Sequence, residues 1–126
     1  MGDDLVLRVA AGYLGAQGAW GLGHPRSFDK ANWVEQNVEA NPGATRWLSI
    51  FMLSNAGLLL AASGPGMERA TKKRVLGVAA ATGSAAVAGC VVGMAQKTDR
   101  RDTAVPGALF SAGLAAWAAA RALKKD

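Results

Sequence analysis

Fourteen basic and nine acidic residues are distributed over this 126-residue chain so that four long stretches escape them. Residues 9–25, 47–67, 75–96 and 103–120 are 17, 21, 22 and 18 residues long and contain no Asp, Glu, Lys or Arg. A helix of that length on a soluble protein shows water a polar face and carries a charge every turn or two. Four uncharged stretches in succession argue instead for lipid on the outside. A bilayer core about 30 Å thick takes roughly 20 helical residues to cross, and each stretch reaches that length with a flanking turn. The sequence therefore predicts an all-α integral membrane four-helix bundle, a single transmembrane domain over residues 1–126, with helices at about 5–23, 46–64, 74–96 and 104–122.

Composition alone does not separate this reading from its rivals. The chain is 51% hydrophobic and 18% charged, with a mean hydropathy of +0.15, between a soluble domain and a typical membrane protein. A soluble bundle with an alanine-rich core and an Ala/Gly tract without fixed structure are the competing readings. The second stretch, WLSIFMLSNAGLLLAAS, argues against both with five Leu plus Ile50, Phe51 and Met52. At the boundaries, Arg46, Lys72, Lys73, Arg74, Lys97, Arg121 and Lys124 can snorkel to headgroups, and Trp20 and Trp47 sit where an aromatic belt belongs.

The connections differ in character. Segment 24–45 is the long polar one and contains an expected short interfacial helix between helices 1 and 2. Ser27 would cap it, Phe28, Ala31, Val34 and Val38 would line its apolar side, and Asn41-Pro42-Gly43 would end it; a solvated loop is the alternative. GPGMERATKKR forms a tight basic turn, and QKTDRRDTAVP places Pro106 in the first turn of helix 4. An even number of helices puts both termini on the side of the basic turn. That side has eight Lys and Arg against six on the other, which points both termini toward the cytoplasm, stroma or matrix.

Small residues recur every fourth position. Gly77, Ala81, Ala85, Gly89 and Gly93 do so in helix 3, Ala11, Gly15, Ala19 and Gly23 in helix 1, and Ala108, Ala112, Ala116 and Ala120 in helix 4. Membrane helices associate by close backbone approach, so these stripes are candidate packing faces, within the bundle or against a partner. An echo of VLRVAAG (6–12) in VLGVAAA (75–81), and of SNAGLLLAA (54–62) in SAGLAAWAA (111–119), suggests two duplicated hairpins.

Chemistry is sparse. One His and one Cys cannot make the usual N/S metal site, and Cys90 reads as a small buried thiol. All nine acids fall in expected loops or at the termini, so no Ser-His-acid set assembles and no intramembrane acid offers a proton path. No phosphate-binding glycine loop follows a strand. An enzyme is not expected. The +5 net charge lacks aromatic interleaving and a nucleic-acid module, and fits basic flanks facing lipid headgroups, so membrane lipid and not nucleic acid is the expected partner. MGDDLVLR has no basic region ahead of its apolar run, so a cleavable secretory signal or transit peptide is not expected, and an organellar presequence would already be gone. A chlorophyll magnesium accepts His, Gln or Asn as an axial ligand. His24, Gln17 and Asn55 are thus candidate cofactor-binding residues for chlorophyll, with carotenoid as the other pigment such a bundle would take. Each has a plainer reading as a surface His or an interhelical hydrogen bond.

GAWGLGHPRSF (18–28) followed by ATRWLSIFMLSNAGLLLAA (44–62) resembles the first hairpin of small four-helix membrane proteins of the broad DoxX-like kind. The resemblance covers about 45 residues and implies a four-helix bundle, with helices 3 and 4 matching only in length. The expectation is a non-catalytic accessory subunit packed against other membrane subunits of a larger energy-transducing complex. A photosynthetic, photosystem-type complex of the thylakoid is preferred over a respiratory one of the inner mitochondrial membrane. The alternative is a small free-standing transporter or DoxX-like membrane protein.

Overall fold

In a computed structural model, which describes residues 2–34 and 42–125 (Pro42 by its backbone alone), each charge-free stretch is helical over most of its length. The elements are α1 (Gly2–Gly23), α2 (Pro25–Asn32), α3 (Pro42–Ala62), α4 (Arg69–Ala95) and α5 (Arg101–Leu123). Among the described residues the only β structure is an isolated bridge between Trp33 and Asp99. Three helices, α3, α4 and α5, are long and apolar enough to cross a membrane. The expected fourth, α1, has the length at 22 residues but is diluted by Arg8, Gln17 and six glycines, with Asp3 and Asp4 adding charge to its first turn.

The long helices pair as two antiparallel hairpins. Along α1 and α3, Gly15 faces Ala56, Gly18 faces Leu53 and Ser49, and Gly21 faces Ser49 and Phe28. Along α4 and α5, Gly83 faces Ala115 and Ser111. Glycine at these crossings lets one helix backbone approach the next, which is how interfaces form where no hydrophobic force separates helix from lipid. The echoed VLxVAA segments begin α1 and α4 in corresponding places, and their leucines, Leu7 and Leu76, are both fully buried.

Those leucines lie in one core with Val6, Ala11, Ala56, Leu59, Ala62 and Ala118, so all four long helices meet there. Tyr13 of α1 and Phe110 of α5 continue the seam between hairpins, their rings 4.6 Å apart and tilted by 37°. At the end of the molecule where the chain termini meet, Arg121 Nε donates to Asp3 Oδ1 at 2.6 Å and Lys72 Nζ to Asp4 Oδ1 at 2.5 Å. At the opposite end, Val34 N–H donates to Thr98 C=O, Arg100 N–H to Asn32 C=O, and the Arg100 guanidinium to Lys30 C=O.

Several expected details are corrected. Ser27 does not cap α2: the helix starts at Pro25, its N-cap is His24, and the Ser27 hydroxyl accepts from Trp20 Nε1 instead. Pro25 explains the early start, since proline suits the first helical position. The helix ends at Asn32, before the expected Asn-Pro-Gly stop, and Pro42 opens α3. Val38 and Asn41 lie outside the described residues. Pro106 is inside α5 and not in its first turn, because the helix begins at Arg101, with the Arg100 carbonyl accepting from Thr103 and Ala104.

Helix α4 ends in a Schellman motif, with Thr98 N–H bonded to Gly93 C=O and Lys97 N–H to Met94 C=O. The C′ position of that motif requires a left-handed residue, and Lys97 supplies it at φ 58° where glycine is usual.

Candidate functional site

The small-residue stripe of α4 does not form the contact with α5. Gly77, Ala81, Ala85 and Gly89 are exposed, and nothing lies within 4 Å of where a Cβ on Gly77 or Gly89 would stand. The contact is made by a neighbouring row that includes Leu76, Ala80 and Gly83. Geometry explains the offset. Four residues overshoot one helical turn by about 40°, so five positions spaced by four wind roughly 160° around the helix. Gly93, at the far end of the winding, has therefore turned inward and is buried beneath Asp99.

In α1 the stripe divides the same way: Ala11 is buried, Gly15 packs on Ala56, and Ala19 and Gly23 are exposed. In α5, Ala112, Ala116 and Ala120 are exposed, while Ala104, Ser111, Ala115 and Ala118 face inward. The result is an α4 uncharged from Val75 to Ala95 yet open, with only 6% of its most apolar 18 residues buried. Val78, Val91 and Val92 flank the small residues on this outer surface.

Of the pigment-ligand candidates, His24 stands at the junction of α1 and α2, Gln17 lies on α1 and Asn55 on α3. His24 and Asn55 are exposed and Gln17 is half-buried. No group of three or more His, Cys, Asp or Glu that could hold a metal occurs among the described residues.

Two polar clusters were not visible in the sequence. The first surrounds Asp29, which sits on α2, fully buried, and not in a loop as the sequence suggested. Its Oδ1 accepts from Thr45 Oγ1 at 2.7 Å and Trp33 Nε1 at 3.1 Å, while the buried Oδ2 has no partner among the described residues. Ser49, buried one turn along α3, donates back to the Thr45 carbonyl. The signal available was the Asp29/Trp33 spacing of four beside Phe28, which places an acid on the same side as two aromatic rings.

The second is a cleft of about 270 Å³ where the termini meet the α3–α4 turn, lined by Asp3, Asp4, Met67, Arg69, Lys72 and Arg121. Its two ion pairs join α1 to α5 and to α4. The Lys72 ammonium, by its hydrogen bond and its charge, holds the Asp4 carboxyl below its ordinary pKa against the opposing effect of partial desolvation. Acids at positions 3 and 4 and basic residues at 72 and 121 are evident in the sequence, but their pairing depends on the antiparallel return of α5. No family model matches the chain, and no curated protein or solved structure matches it significantly.

Proposed function

We propose that this chain is a small membrane-embedded bundle that serves as a non-catalytic structural subunit, with α1 crossing the bilayer beside α3, α4 and α5. The observation that carries the reading is the open outer face of α4. A helix this apolar and this little buried is suited to lipid, and its Gly77, Ala81, Ala85 and Gly89 present the low relief that admits a neighbouring helix to van der Waals distance. A helix that met only lipid would gain more from leucine and isoleucine at these positions, because glycine and alanine contribute little to insertion. The bundle's own contacts are already made by the adjacent row, so the outer face is available for a separate membrane subunit.

The test is co-purification from native membranes in mild detergent. A large partner is expected to travel with the chain, and its identity distinguishes a photosynthetic from a respiratory assembly. Migration as a lone bundle of 12.9 kDa overturns the structural-subunit reading. Leu at position 85 or 89 should release the chain from its partner while leaving it inserted.

A further inference from the structure

Asn55 is exposed on α3, about 12 Å along the helix axis from Trp47 and about 10 Å from Ala62, near the middle of the apolar span. A hydroxyl at such a depth can bond to its own helix, as Ser84 on α4 does by donating to the Ala80 carbonyl one turn back. An amide has two N–H groups and an oxygen to satisfy, and the Asn55 side chain has no hydrogen-bond partner among the described residues. Hydrocarbon offers none, and an unpaired amide there is costly. The residues around it form a seam. Leu48, Phe51, Asn55 and Leu58 follow one another at spacings of three, four and three, the a and d positions of a heptad, with Asn55 at an a. The three apolar members are 42%, 62% and 68% exposed in that order. The contact of α3 with α1 runs through Ser49, Leu53 and Ala56 instead, so the bundle's own packing leaves this seam open.

We infer that α3 pairs in parallel with α3 of a second copy of this chain, across a two-fold axis normal to the membrane, the two Asn55 amides bonding to each other. Copies inserted the same way carry Asn55 at the same depth, so the axis brings amide to amide with no adjustment of either helix. An amide is both donor and acceptor and therefore complements itself. Arg46 is the only charged residue of α3. It lies nine residues from Asn55, on the opposite side of the helix, so the pairing sets no like charges against each other across the seam. A single Asn at an a position specifies register and the number of strands, and a hydrogen bond between membrane helices adds to their close packing. The inference rests on the membrane reading above and leaves the outer face of α4 to the larger partner.

The full chain, carrying a donor or an acceptor fluorophore on a C-terminal tag, is reconstituted in phosphatidylcholine vesicles, and energy transfer is followed as added lipid dilutes it. Transfer that fits a dimer is expected. Asn55→Leu should weaken the pairing about tenfold, and Asn55→Gln, which keeps the amide, should retain more of it. Helix content by circular dichroism confirms that both variants are folded. Gly89→Leu, on the outer face of α4, should leave transfer unchanged. No transfer in the unaltered chain, undiminished pairing in Asn55→Leu, or lost pairing in Gly89→Leu each overturns the inference, the last by assigning the second copy to α4. A chain that is monomeric in vesicles but loses its native partner on Asn55→Leu also overturns it, by giving the seam to a different subunit. Alkaline extraction of expressing membranes tests the membrane reading separately: a chain that stays with the membrane but does not pair sinks only the α3 seam. A dimer that travels from native membranes without a larger partner sinks only the structural-subunit reading.

Discussion

Gly18 of α1 lies directly against the backbone of Ser49 on α3: a Cβ at position 18 would stand 2.9 Å from the Ser49 carbonyl oxygen and 2.8 Å from Leu53 Cγ. Backbone cannot give way as a side-chain tip can, so even one methyl must push the helices apart. Gly18→Ala is therefore expected to destabilise the hairpin by about 1–3 kcal/mol. Gly57, on the same helix as Ser49, has nothing within 4 Å of its Cβ position, and Gly57→Ala should stabilise by about 0.5–1 kcal/mol through helix propensity. Thermal unfolding in detergent, followed by circular dichroism, checks both signs.

The two faces of α4 give a second contrast. A Cβ on Gly83 would come within 3.0 Å of Ala115 Cβ and 3.3 Å of the Ser111 carbonyl, whereas Gly89 is open. Gly83→Leu should separate α4 from α5 and lower the unfolding midpoint. Gly89→Leu should leave the midpoint of the isolated chain unchanged and abolish partner co-purification. If Gly89→Leu unfolds the isolated chain, the outer-face assignment is wrong.

This contrast also marks how much the sequence made legible. Charge-free runs located the long helices to within a few residues, because the absence of charge is a property of a whole segment and tolerates local error. A packing face depends on angle, and a repeat of four departs from the helical period with each step. Gly77 and Gly93 therefore looked like partners on one face, although one is exposed and the other buried. The Asp29 cluster was hidden for another reason. Its burial depends on Thr45, sixteen residues away, returning over α2, and nothing local to the 24–46 segment reveals that return.

Lys97 occupies the left-handed C′ position that ends α4, with φ 58°. A side chain bearing a Cβ is strained there by roughly 1–2 kcal/mol, and glycine is not. Lys97 is exposed, so Lys97→Gly removes that strain at little cost in contacts. It is expected to stabilise the chain by about 1 kcal/mol, visible as a raised thermal midpoint, while Lys97→Val should lower it.

Removing the Asp29 side chain strands two donors, the buried Thr45 hydroxyl and the half-buried Trp33 indole N–H. Asp29→Ala should therefore cost about 1–3 kcal/mol for each donor left unpaired. Asp29→Asn keeps an oxygen in the Oδ1 position and so both hydrogen bonds, at the cost of an amide N–H group where the partnerless Oδ2 stood, and should lose less than Asp29→Ala. Equal loss in the two variants would mean that the hydrogen bonds are not what holds α2 against α3. The same unfolding assay separates these outcomes.

Acid should loosen the joint between α1 and α4. The Asp4 carboxyl is held below its ordinary pKa first by the hydrogen bond from Lys72 and further by the Lys72 charge, with desolvation working against both. Because the folded pKa is the lower one, the unfolded chain binds the proton more readily. The contribution of the pair is thus complete above the ordinary carboxylate value of about 3.9 and is lost as pH falls through the depressed folded value. Lys72→Met removes the cause of the depression, so its thermal midpoint should fall less steeply below about pH 4 than that of the unaltered chain. The comparison needs matched ionic strength, since the pair is partly open to solvent and salt screens it. Identical pH profiles for the two proteins would show that Asp4 and Lys72 do not couple α1 to α4.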